Sequence, residues 1–218
     1  MQTVVISDAL KEQLPEFMLA VCQFKADVFR NEELSGYIKE LEQSINLKYE
    51  LKDVLTIPKI KAARDGYKTL GKDPSRYRLA CESLLRRIVK GNPLYRINNV
   101  VDIGNILSIK TNRSVAVLDH DQIKGDVLIR IGTDEIYEGI GRGRINIEHI
   151  PTYSDEIGAF GTPTSDTPRT MITDDTNHIL LFIISFNGKK DLEQDINLCF
   201  ELYKQFANAK EFNYYIVE

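Results

Sequence analysis

The hydrophobic period changes once along this chain, and that change most constrains how it can fold. Between residues 32 and 45, Leu34, Tyr37, Ile38, Leu41 and Ile45 recur at i, i+3, i+4, i+7 and i+11, one stripe of an amphipathic helix. Over about 58–70, Ile60, Ala63, Tyr67 and Leu70 repeat the stripe, with Pro58 in the first turn and Gly71 as the stop. A third helix is expected over 76–90, between Asp73-Pro74-Ser75 and Gly91-Asn92-Pro93, and a fourth over 97–108, with Gly104 inside its apolar face. Beyond that point SVAVLD, DVLIRIG and HILLFII read as strands, the last fully buried, and RINIEHI alternates strictly enough to predict another.

The opening VVIS and the apolar run FMLAVCQF also have strand length, separated by a short helix that Ser7 or Asp8 caps and Pro15 ends. A helix over 189–208 and a strand at NYYIV close the chain. The expected fold class is mixed α/β (α+β): a single compact domain with helices early and a mixed sheet late. Residues 1–54 supply N-terminal strand and helix elements to the body formed by 55–218. No internal repeat, linker or low-complexity tract interrupts the pattern.

At 218 residues a folded chain buries about 70% of its unfolded surface, so no disulfide or metal staple is needed. Cys22, Cys81 and Cys199 are scattered and odd in number, which fits small buried hydrophobes better than a disulfide framework or a metal knuckle. Unbroken apolar runs reach only six residues, as in Ile179–Ile184, against the ~18 to 20 of a membrane helix. No basic n-region or long apolar h-region marks a secretory signal, so the expected compartment is a reducing cytoplasm, with no membrane partner.

Net charge is −4, but it is unevenly spread. Residues 59–90 hold ten Lys and Arg against three acids, while the remainder holds 18 basic and 29 acidic residues. An acidic body carrying one basic stretch points to a phosphate-bearing partner. The alternative is two solvated basic faces.

Chemical motifs are sparse. GIGRGR carries glycines at 139, 141 and 143, yet alternating INIEHI follows it where a dinucleotide fingerprint needs a helix, so a hairpin or bulge is expected. His120, His149 and His178 have no H-x₃-H or C-x₂-C companions, so no metal and no cofactor is expected. No G-x-S-x-G elbow is present. The segment 154–177, SDEIGAFGTPTSDTPRTMITDDTN, is long, polar and rich in hydroxyls, with Gly158, Gly161 and a lone Arg169, properties suited to placing a small polar ligand or a water. A plain surface loop is the other reading.

Three stretches carry a resemblance: RDGYKTLGKDPSRYRLACESLLRRIVKGNPLYRINNVVDIGNILSI, RSVAVLDHDQIKGDVLIRIG and DEIGAFGTPTSDTPRTMITDDTNHILLFI. They resemble the B3/B4 domain of the phenylalanyl-tRNA synthetase β subunit and of free-standing bacterial proteins of about this length. In the synthetase that module is an editing compartment that hydrolyses tyrosine wrongly joined to the phenylalanine tRNA, without a metal. The resemblance implies the B3/B4 fold and places Asp102 and Asn105 on the family's D-x-x-N helix. It sets Asp119 at the end of a pocket strand, Gly158 in the glycine-bearing segment and Thr176 at the start of the following strand. The family's pocket histidine and glutamate fall on Ala116 and near Phe182.

The function expected from the resemblance and the basic stretch is a free-standing aminoacyl-tRNA deacylase, not a ligase. Lys59, Lys61, Arg64, Lys68, Arg76, Arg86 and Arg87 would bind tRNA or aminoacyl-tRNA. Asn105 and Thr173 would act at the ester, and Asp102, Asp119, Gly158, Arg169 and Thr176 would bind the substrate. DNA is not an expected partner. Two alternatives remain open: an RNA-binding module without turnover, and a pocket protein for a small amino-acid derivative.

Overall fold

The computed structural model describes residues 1–218 as three layers. The elements are β1 (Val4–Ile6), α1 (Asp8–Gln13), β2 (Met18–Lys25), α2 (Glu32–Lys48), α3 (Pro58–Thr69), α4 (Ala80–Val89) and α5 (Asn99–Thr111). They are followed by β3 (Val115–Asp119), β4 (Val127–Ile131), β5 (Glu138–Gly139), β6 (Gly143–Arg144), β7 (Pro151–Ser154) and β8 (Ala159–Gly161). The last three are β9 (His178–Ser185), α6 (Leu192–Ala207) and β10 (Lys210–Val217).

The central layer is an antiparallel sheet of order β10-β2-β9-β3. Its two middle strands explain the continuous apolar runs, because each buries both faces. Ala20, Cys22 and Phe24 of β2, with Ile179, Leu181 and Ile183 of β9, pack among the helices. The intervening Leu19, Val21, Leu180, Phe182 and Ile184 face the second sheet, order β1-β4-β7-β8, whose Val4, Ile6, Val127, Ile129, Tyr153 and Phe160 complete that layer. The first 25 residues thus contribute strands to both sheets, β1 pairing parallel with β4.

The helix starts follow their caps. Ser7, Asn31 and Asn98 accept hydrogen bonds from Leu10, Leu34 and Val101 N–H groups, and Pro58 opens α3. Helix α5 is buried on nearly every side, and Gly104 is what lets it lie on β3: a Cβ there would run into the Val117 side chain. GIGRGR forms the β5–β6 hairpin, with Gly141 and Gly143 at φ +66° and +69°.

Three expectations are corrected. Helix α4 begins at Ala80 rather than at 76, because Asp73 and Pro74 open a turn and the Ala80 N–H is taken by Pro163 O at 2.8 Å. RINIEHI is not a strand beyond Arg144. Ile147 and Ile150 are buried, but they are three residues apart and so do not share the face of a strand, and the carbonyls of Asn146 and Glu148 are bound by the Lys72 ammonium at 2.8 and 2.7 Å instead of by a neighbouring strand. The polar segment after β7 is also shorter than it reads, since β8 lies inside it.

Candidate functional site

Much of the basic stretch is neutralised locally. On α3, Lys59 lies 3.2 Å from Asp195, Lys61 and Lys68 lie 2.6 and 3.3 Å from Asp65, and Arg64 lies 2.8 Å from the buried Glu82. Helix α4 differs. It buries Cys81, Glu82, Leu85 and Ile88, and turns its cations outward. With the turn before it and the residues after it, α4 forms a concavity of about 220 Å³ lined by Arg78, Ser83, Arg86, Arg87, Lys90 and Asn92. Only Arg86 has an acid nearby, Glu82 at 3.9 Å. Arg76 is exposed outside this lining, its guanidinium 5.9 Å from the Tyr77 ring.

Beside the concavity is a second hollow of about 400 Å³. Its apolar half is Ala80, Leu84, Tyr95, Ile97, Val101 and Ile140; its polar half is Ser83, Arg87, Asn105, Arg142, Thr164 and Ser165. No carboxylate or imidazole lines it. Ser83 and Arg87 belong to both hollows, so the cationic surface runs directly into the half-apolar one. Asn105 is half-buried in the wall, and its side-chain amide makes no hydrogen bond within the chain. Its donor and acceptor are therefore available to a ligand.

The wall opposite α5 is held firmly. Pro163 O accepts from the Ala80 N–H and from Ser114 Oγ at 2.8 and 2.9 Å. Thr162 Oγ1 accepts from the N–H groups of Thr164 and Ser165, and the buried Tyr67 hydroxyl lies 2.9 Å from Thr164 Oγ1. Burial pushes the Tyr67 phenol above its ordinary range, so it stays a neutral hydrogen-bonding group.

The other residues named from the sequence lie elsewhere. Asp102 lines a separate cleft with Arg30, Asn31 and Arg96, and accepts from the Ile97 N–H at 3.1 Å; burial raises its pKa. Asp119 accepts from Thr176 Oγ1 at 2.9 Å, and Thr176 Oγ1 in turn accepts from the Thr173 N–H at 2.9 Å and lies 3.2 Å from Thr173 Oγ1. Arg169 forks onto Asp155 at 2.9 and 3.0 Å and donates to Gln122 O; the Gly158 N–H donates to the same carboxylate at 3.2 Å. Of the residues assigned to the ester and its substrate, Asn105 alone lines the hollow, and of those assigned to RNA, Arg87 lines it while Arg86 lines the adjoining concavity.

Ala116 and Phe182 are direct partners across β3 and β9, buried in the layer between the sheets, where Phe182 packs edge-on against Tyr153. Nowhere do three or more His, Cys, Asp or Glu side chains gather to hold a metal ion. No helix is long and apolar enough to cross a membrane.

Sequence reading missed Arg78, Lys90, Tyr95, Arg142, Thr164 and Ser165. Arg78 and Lys90 were visible as members of the basic stretch. The other four come from loops and a hairpin whose approach to α4 no local pattern announces.

Residues 62–201, well over half of the chain, match the B3/4 domain model. The chain belongs to the B3/4 domain family. No curated protein matches the sequence. Among solved structures, this B3/4 domain protein is similar to an N-terminal fragment of the phenylalanyl-tRNA synthetase β subunit from Pyrococcus horikoshii, with 14% identity and a TM-score of 0.49. That similarity covers 96% of this chain and 50% of the fragment, so the B3/4 chain spans about half the fragment's length. The family match includes all of α4 and α5 and every residue that lines the hollow around Asn105.

Proposed function

We propose that this protein binds the acceptor end of an aminoacyl-tRNA and hydrolyses its ester against Asn105. The observation that supports this most is the junction at Ser83 and Arg87, where a cationic concavity suited to phosphates opens into a half-apolar hollow suited to an aminoacyl group. The sequence resemblance to the synthetase's editing module, together with membership of the B3/4 domain family, supports a relation to tRNA.

Lacking a carboxylate or imidazole in its wall, the hollow would work by placement and electrostatics. The Asn105 amide N–H donates to the ester carbonyl, and Arg87 and Arg142 favour the negative charge that develops on that oxygen. Ser83, Thr164 and Ser165 can orient the attacking water. Water adds to the carbonyl carbon, the bond from that carbon to the ribose oxygen breaks, and the ribose oxygen takes up a proton as the amino acid leaves. An ester of a terminal ribose is already activated, so modest catalysis suffices.

Asn105→Ala tests the reading. Hydrolysis of mischarged tRNA should fall by at least about a hundredfold, in the range known for loss of one oxyanion donor, with tRNA affinity retained. Loss of both together, or of neither, would overturn it. Binding without turnover is the second reading, and Ala116 and Phe182 favour it: they stand at positions where the resemblance places polar pocket residues, and both are sealed between the sheets. Saturable, salt-sensitive tRNA binding with no hydrolysis of any charged tRNA would select it.

A further inference from the structure

The apolar residues at the mouth of the Asn105 hollow are conspicuously exposed. Tyr95 is 63% accessible, Ile97 58% and Ile140 43%. Tyr95 is also held in place. The Arg87 guanidinium lies 3.8 Å from the ring centroid, donates from one Nη to the Tyr95 hydroxyl at 2.9 Å, and donates from Nε to Pro93 O at 2.6 Å. The ring thus carries a cation on one face and remains 63% accessible, next to the cationic concavity that Arg87 also lines.

We infer that the Arg87–Tyr95 pair is a stacking platform for an unpaired RNA base, so that the protein selects a single-stranded end over a duplex. The chemistry of single-strand recognition is a cationic track for the backbone next to an aromatic face for a base, and both are present within one surface. Exposed aromatic rings ordinarily lose rotamer freedom on binding; this one is already fixed, which lowers the cost of engagement. The carboxylates of an acidic peptide would satisfy the cations, but they present no aromatic face to the Tyr95 ring. Every base has such a face, so discrimination between bases at this position should be weak. The inference rests on the proposed contact with RNA but not on hydrolysis.

The test compares one stem-loop RNA carrying a four-nucleotide single-stranded 3′ extension with the same stem-loop ending blunt. A 2-aminopurine in the extension reports stacking. The wild-type protein should bind the extended RNA at least tenfold more tightly, as expected for one stacked base, and quench the fluorophore. Tyr95→Phe should keep most of that preference, because the ring remains. Tyr95→Ala should lose the preference and the quenching while the slope of log affinity against log salt holds, since no phosphate contact is removed. Thermal melts confirm folding, which truncation of so exposed a side chain leaves intact. Equal binding of both RNAs by the wild type, retention of the preference in Tyr95→Ala, or its loss in Tyr95→Phe overturns the platform alone. No binding of either RNA at low salt overturns the platform together with the proposed function.

Discussion

The hydroxyls of Tyr67 and Thr164 lie 2.9 Å apart, and this one hydrogen bond ties the buried face of α3 to the wall of the Asn105 hollow. Tyr67 is wholly buried, so its hydroxyl cannot exchange this partner for bulk water. Tyr67→Phe keeps the ring and removes the bond. It should destabilise the fold by about 1 to 2 kcal/mol, read as a lower denaturant midpoint with an unchanged m-value.

Arg169 and Asp155 form a forked pair whose carboxylate side chain has no exposed surface, while the arginine keeps 25%. Burial pushes the Asp155 pKa up, but the hydrogen bonds from Arg169 and from the Lys124 and Ile157 N–H groups outweigh it and hold the carboxyl below its ordinary range. Arg169→Ala should therefore cost about 2 to 4 kcal/mol, most of it from leaving Asp155 buried without a cation. The double variant Asp155→Asn with Arg169→Ala should be less destabilised than the sum of the single ones, measured by a urea cycle. A depressed carboxyl stabilises above its unfolded pKa, so this contribution disappears as pH falls through the lower folded value.

Asp166 has the opposite sign. The residue keeps some exposed surface, but its Oδ1 atom has none and no hydrogen-bond partner, and burial raises the carboxyl to about 7 despite a hydrogen bond from the Thr162 backbone. The folded state then binds a proton that the unfolded chain releases near its ordinary value of 3.8, so stability should fall as pH rises between those limits and level off above about 7. Asp166→Asn should flatten that decline and stabilise the protein at pH 8 relative to wild type. Thermal melts from pH 5 to 8 on both proteins decide it; parallel curves would refute the assignment.

How much of this was legible beforehand follows from where each signal originates. The apolar runs at 17–22 and 179–184 were readable as strands because burial on both faces leaves no polar residue to interrupt them. The stripe of α3 likewise survived into the structure, since Ile60, Ala63 and Tyr67 pack on one side. RINIEHI misled because its apolar and polar residues alternate in sequence, while in the fold only Ile147 and Ile150 are buried and a lysine side chain binds its carbonyls, which periodicity does not record. The site divides in the same way. Arg87 and Asn105 lie on two consecutive helices that were both legible in the sequence, whereas Thr164, Ser165 and Arg142 reach the hollow from distant segments. Charge counting overstated α3, because a count of cations is blind to which of them face Asp65, Glu82 or Asp195.

That last point makes the two basic helices separable by experiment. Arg78 and Lys90 are exposed in a concavity with no acid in its lining, whereas Lys61 and Lys68 share Asp65 on α3. If α4 is the surface that meets RNA phosphates, Arg78→Glu and Lys90→Glu should each weaken tRNA binding severalfold. Each should also reduce the log–log salt slope by about 0.7 to 0.9, the value of one phosphate contact. The same reversal at Lys68 removes a cation already shared with an acid, and its effect on the slope should be distinctly smaller. Titrations at 50 and 150 mM salt provide both quantities. A slope change at Lys68 equal to or larger than that at Lys90 would move the RNA contact to α3 and detach it from the Asn105 hollow.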